Sequence, residues 1–283
     1  MTPKTRLQKT VSLLSCSLTL LAGCVAQDAT ESMPLDDLAP ALATPQDRPV
    51  STNGLSPNDF WAPANQQALR ALGSGALLDA SGSLAPTPLL DTDSGRSVLK
   101  YVVRSALPDG VTVTSASGYS FAGARNLAPD WSTRALTVSE QRWMTASLLD
   151  HLNGFGVTVP IMLLGNHPAL FTSTGNASSS YTVGDMTSFG NLFGSNPTAY
   201  VCAELGVTLA CGLGASTYTL ERICGLSPTC GAIHLGLCNL FCSRDAQGSP
   251  TCYPLLGSAY SEAISTRVQS NVELPLSLLC GTH

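Results

Sequence analysis

Ser97 and Lys100 stand three residues apart in Ser97-Val98-Leu99-Lys100, a spacing that sets a lysine amine one helical turn from a serine hydroxyl. A neutral amine there takes the hydroxyl proton and turns the serine into a nucleophile. Such a site also needs a later Lys-Thr-Gly strand, and no lysine follows Lys100. The pair therefore reads as a solvated helix face. Asp91-Thr92-Asp93-Ser94-Gly95 gathers the oxygen ligands that calcium takes. Its glycine comes one position early for a calcium loop and no acid closes the loop, so it reads as a turn with a helix cap. Three interior histidines remain. His151 falls at the end of a predicted helix, where an imidazolium suits the dipole. His167, in Gly165-Asn166-His167-Pro168, directly follows a predicted strand. With Asp185 or Glu204 it is the best candidate for a hydrolytic site assembled from distant residues. No H-E-x-x-H or G-x-S-x-G motif is present, so no catalytic residue and no cofactor is assigned.

Cysteines carry the stronger signal. Cys202, Cys211, Cys224, Cys230, Cys238, Cys242, Cys252 and Cys280 all fall in the last third. Cys238 and Cys242, with His234 nearby, are the nearest thing to a metal site, yet no second close pair completes a ligand set. No metal is assigned. In an exported chain an even set of this kind reads as four disulfides whose connectivity spacing cannot choose. Cys280 stands apart and is expected to tie the chain end back onto the rest.

Export is read from the N-terminus. Lys4, Arg6 and Lys9 precede a short apolar run over residues 11–21, and Ala22 and Gly23 follow. A bilayer span takes roughly 20 apolar residues, so residues 1–23 read as a signal peptide. Leu21-Ala22-Gly23-Cys24 resembles the lipobox of bacterial lipoproteins. The resemblance implies cleavage before Cys24 and a diacylglyceryl group on its thiol, with palmitate-type acylation. Each buried methylene contributes ~0.8 kcal/mol, so two or three chains make a lasting anchor. Val25 rather than aspartate follows the cysteine, which by the enteric sorting rule implies the outer membrane, on its periplasmic or surface face. The membrane, reached through Cys24, is thus an expected partner.

Composition narrows the rest. Only 12% of the 283 residues are charged and the net charge is −5, against a usual charged fraction of ~25%. The signal takes three basic residues and no acid with it, leaving Lys100 as the last lysine. With no basic cluster, nucleic acid is excluded as a partner on charge.

Positioning these residues falls to a few predicted elements. Residues 24–57, rich in Ala, Pro, Asp and Thr without period, read as a flexible tether. A short helix is expected over 66–72. Val98, Leu99, Val102, Val103 and Leu107 predict a helix over 94–107, capped by Thr92 or Asp93. A hairpin follows over 111–122, turning at Ser117-Gly118. Thr137 and Glu140 form a capping box for a helix over 138–152, with Asn153-Gly154 as a left-handed stop. Residues 156–164 alternate as a strand, in which Pro160 implies an edge or a bulge. Residues 172–190 read as loop, and 264–268 as a strand. The sum is an α+β fold: a small helix and strand domain over 58–200, then a disulfide-rich, loop-rich region over 201–283, separate or packed with it.

Leu107-Pro108-Asp109-Gly110-Val111-Thr112-Val113, Ser139-Glu140-Gln141-Arg142-Trp143, Gly190-Asn191-Leu192-Phe193 and Tyr200-Val201-Cys202, followed by the cysteine array, resemble lipoproteins of myxobacterial type. That family implies no activity. The expected function is a membrane-anchored envelope module that interacts with an envelope protein or glycan and catalyses nothing. The alternative is an envelope hydrolase.

Overall fold

The computed structural model describes residues 50–171, 180–225, 227, 230–255 and 257–269. The signal segment, the lipobox with Cys24, residues 24–49 of the expected tether and Cys280 lie outside them. The rest of that tether is corrected: Val50–Asn53 form a strand of the main sheet and Leu55 is wholly buried, because sheet pairing and core packing supply what the local composition does not. Among the described residues, strands β1 (Val50–Asn53), β2 (Thr112–Thr114), β3 (Ser120–Ala122), β4 (Val159–Leu164), β5 (Val183–Asn191), β6 (Thr198–Ala203), β7 (Ile233–Leu237), β8 (Cys242–Arg244), β9 (Pro250–Cys252) and β10 (Ile264–Val268) alternate with six α-helices. These are α1 (Pro57–Phe60), α2 (Pro63–Gly73), α3 (Asp93–Ala106), α4 (Val138–Asp150), α5 (Leu205–Cys211) and α6 (Ala215–Cys224). The fold is α+β, with its disulfides in the C-terminal region.

The long helices begin where their caps place them. The Thr92 hydroxyl accepts from the Gly95 amide at 2.9 Å and starts α3. At α4 the Thr137 amide donates to Glu140 at 2.8 Å, while the Glu140 amide donates to the Thr137 hydroxyl at 3.3 Å. Val98, Leu99, Val102 and Val103 of α3 are wholly buried, each such side chain contributing about 1.5–3 kcal/mol. The C-terminus of α4 departs from expectation. The helix stops at Asp150, and Gly154 does not adopt a left-handed conformation. A Cβ at Gly154 would lie 2.0 Å from the Glu221 oxygen, so that glycine is required by the close approach of α6.

Six strands form one mixed sheet in the order β1-β4-β10-β5-β6-β7, antiparallel except between β6 and β7. Strands from both sides of residue 200 share it, and β6 itself runs across that position. Side chains alternate cleanly. Ile161, Leu163, Met186, Val201 and Ile264 enter the core under α3 and α4. Met162, Leu164, Phe189 and Tyr200 face the other side, where the β8–β9 hairpin packs. Pro160 sits in β4, inside the sheet order. The β10 ladder covers Met162, Leu163 and Leu164 only, so Pro160 is paired on the β1 side alone, with Thr52. It occupies a local edge, as its missing amide requires.

The expected loop over 172–190 is corrected in its second half. Residues 183–190 belong to β5, a strand flanked on both sides. Gly, Asp, Thr and Ser normally mark loops. Here the polar side chains are satisfied by partners from neighbouring elements, and that tertiary supply overrides the local preference.

Three disulfides lie among the described residues. Cys202–Cys238 spans 36 positions, Cys224–Cys230 spans 6 and Cys242–Cys252 spans 10, with Cα–Cα distances of 4.9, 5.4 and 4.0 Å. Cys211 is disulfide-bonded as well.

Candidate functional site: a sealed polar seam and an open cleft

A bulge in β5 builds the seam. Ser265 pairs with Thr187, but Arg267 pairs with Gly184, so Asp185 and Met186 both lie opposite Thr266. Such an insertion re-aims a side chain, and Asp185 turns toward α6. It contacts Arg222 in a salt bridge, accepts from Thr266 at 2.8 Å and lies 3.2 Å from the Tyr218 hydroxyl. Arg222 also donates to the main-chain oxygens of Asp150 at 2.7 Å and Leu152 at 3.3 Å. One guanidinium therefore satisfies a carboxylate and two carbonyls at the end of α4, which suits both its fixed fork of donors and the helix dipole. The ion pair is fully enclosed, with side-chain exposures of 1% and 2%. Burial, followed by the Asp185 charge, pushes the Tyr218 phenol up and keeps it neutral.

The histidines divide differently from expectation. His151 ends α4 but is wholly buried, and burial pushes its pKa down to about 3. It is neutral at the helix end, so the expected imidazolium is corrected. The terminal carbonyls are served by Arg222 instead. His151 Nδ1 lies 2.6 Å from the Ser147 carbonyl and can only donate to it, which leaves Nε2 to accept from Ser51 at 2.7 Å. This is the geometry of a serine with its base. Ser51 and His151 are 1% and 0% exposed, however, and no substrate reaches them.

His167 caps a short helical turn, its Nδ1 accepting from the Ala169 amide at 3.1 Å, and its ring packs edge-on against Trp143. Burial pushes its pKa below the usual histidine value. The carboxylates suggested for it lie with other partners. Asp185 holds Arg222, and Glu204 contacts Arg244 and Thr187 on the outer face, where Arg244 also donates to Ser265 at 3.0 Å. His234, on β7, accepts from the Gly236 amide at 3.2 Å. Cys238 and Cys242 go to different bridges, which removes the thiolates that a metal beside His234 would need. Lys100 reaches solvent along the Tyr101 ring, and Asp93 pairs with Arg96.

Among the described residues, a cleft of about 310 Å³ opens to solvent between the start of α1, the loop after α4 and the end of α6. Gly54, Ser56, Pro57 and Asn58 line one side, residues 153, 154 and 156–158 the other, and Gly225 closes it. The loops are held from behind. Asn53 Oδ1 accepts from Asn153 at 3.0 Å and from the Val159 amide at 2.9 Å, while the Gly54 and Leu55 amides both reach the His151 carbonyl at 2.9 Å. The lining mixes hydroxyl, carboxamide and backbone groups with the apolar Pro57 and Val157, and carries no ionisable side chain.

Reading the sequence missed Ser51, Asp150, Arg222 and the cleft. One signal was present for Arg222: Ala215, Tyr218, Thr219, Arg222 and Ile223 share one helical stripe, so the arginine sits on the face that α6 buries. No protein-family model matches the chain, and neither a curated protein nor a solved structure matches it.

Proposed function

We propose that this chain is a cell-envelope lipoprotein, anchored through Cys24, whose folded part binds an uncharged, hydroxyl-rich ligand such as a glycan. The observation that supports binding is the contrast between the two polar regions. Groups able to move protons, Ser51 with His151 and Asp150 with Ser188, are enclosed under the sheet. The open cleft offers neutral donors and acceptors beside the apolar Pro57 and Val157, with glycines that let a ligand approach the backbone. A neutral lining favours neutral ligands, because an unpaired charge gains nothing there on losing its water. The charge-poor sequence agrees with a partner recognised without electrostatic steering.

Two experiments test this. Glucose and N-acetylglucosamine oligomers are titrated against the full chain, with Asn58→Trp and Thr158→Trp as cleft-filling variants. Saturable binding lost in both variants supports the cleft, and binding that survives both refutes it. For the anchor, Cys24→Ala is expected to leave the detergent phase; a variant that still partitions with membranes overturns the lipid.

A further inference from the structure

Asp150 is the last residue of α4, and its side chain is enclosed between α4, β5 and α6. Its Oδ1 contacts the Ser188 hydroxyl of β5. The same hydroxyl lies 3.0 Å from the main-chain oxygen of Ala146. A serine has one proton to give, a carbonyl has none, and an ionised carboxylate has none. Both contacts are made, so the cluster is one proton short if Asp150 is charged. We infer that Asp150 is held as the neutral acid in the native fold, its O–H donating to Ser188, whose own O–H donates to Ala146, and that loss of this proton releases the clasp between α4 and β5.

Two independent observations agree. Asp150 Oδ2 is buried without a partner among the described residues, which a carbonyl oxygen tolerates far better than half of a carboxylate charge does. The charge count of the seam points the same way. Arg222 is in salt-bridge contact with Asp185, and reaches Asp150 only through the main-chain oxygen. A second negative charge would have no partner of its own. Among the described residues, the other groups of the seam are neutral. Ser188 comes from β5, Thr266 from β10 donates to Asp185, Tyr218 on α6 keeps its proton, and the adjacent His151 is uncharged. Burial raises the Asp150 pKa well above the usual carboxylate range, with Asp185 adding to it and Ser188 and Arg222 opposing.

The sign of the resulting linkage is distinctive. The folded state keeps a proton that the unfolded chain releases near the ordinary aspartate value of about 3.9. Stability from Asp150 is complete below that value and declines as pH rises, until the folded-state value is passed. Within this window each pH unit lowers the folded-to-unfolded ratio about tenfold relative to a chain with no titrating group at position 150.

The test uses the full chain with its disulfides intact. Asp150→Asn reproduces the neutral acid, its amide donating to Ser188. Its melting temperature is expected to match the wild type in acid and to exceed it by a growing margin as pH rises. A margin that stays constant or shrinks with rising pH overturns the inference. The wild type also carries its own readout. A protonated-carboxyl infrared band is expected at neutral pH, absent from Asp150→Asn and moved to higher frequency in Ser188→Ala, where its hydrogen bond is lost. Absence of that band in the wild type overturns the inference without recourse to any variant.

Discussion

The Arg222 guanidinium donates to the main-chain oxygen of Asp150 at 2.7 Å, so helix α4 terminates on a side chain of helix α6. The same guanidinium holds Asp185 in the β5 bulge. Two helices and the centre of the sheet therefore meet at one buried cation, and three carboxylate or carbonyl groups depend on it.

Arg222→Met should be strongly destabilising, by about 3–5 kcal/mol, because it leaves Asp185 as an uncompensated buried charge. Replacing Asp185 as well, in Arg222→Met with Asp185→Leu, should recover much of that loss. Urea unfolding of both variants checks this. A single variant within 1 kcal/mol or so of the wild type would show that the pair contributes little.

His151 should not titrate across the physiological range. Its native value of about 3 lies below the ordinary histidine value, so the unfolded chain takes up a proton that the fold refuses. Stability from this group is complete above pH ~6.5 and is lost as pH falls toward the native value. NMR shifts of the His151 ring should stay flat from about pH 8 to about pH 5; a midpoint near the ordinary value would mean that the ring is hydrated.

The bridges should contribute unequally. In the chain-entropy account a longer loop constrains the unfolded state more. Opening Cys202–Cys238 should then cost roughly 4 kcal/mol, against roughly 2 for Cys224–Cys230. Serine pairs at each bridge, compared by thermal unfolding, give the ranking. The four-bridge framework further requires Cys280 to pair with Cys211, which peptide mapping without reduction would reveal; a free thiol at either position removes the fourth bridge.

Gly154 and Gly156 line the same cleft but should respond differently to alanine. At Gly154 the added Cβ meets the Glu221 oxygen at 2.0 Å and the Gly225 Cα at 2.6 Å, an overpacking expected to cost about 1–3 kcal/mol. Gly156 has open space around it and a φ of +71°, so only the left-handed strain of about 1–2 kcal/mol applies. If the cleft binds the glycan proposed above, calorimetry should also show Gly154→Ala weakening that binding more, since the clash displaces the loop carrying Asn153 and Thr158.

Local chemistry made several elements legible in the sequence. The Thr137–Glu140 box, the Thr92 cap and the apolar stripe of α3 act within one or two turns, so neighbouring residues suffice to specify them. The α+β class and the pairing of C-terminal cysteines followed from periodicity and count. Long-range partners decided the rest. Residues 183–190 carry a loop composition and became a central strand because α4, α6 and β10 supply hydrogen-bond partners to Asp185, Thr187 and Ser188. His151 has the sequence position of a helix-end cation and became a neutral, sealed base because burial removed its water. Sequence by itself determined which groups this chain owns and the turns that adjacent residues enforce. Only the tertiary structure decided which polar groups stay in solvent and which lose it, since desolvation depends on residues that are remote in the chain and meet only when it folds.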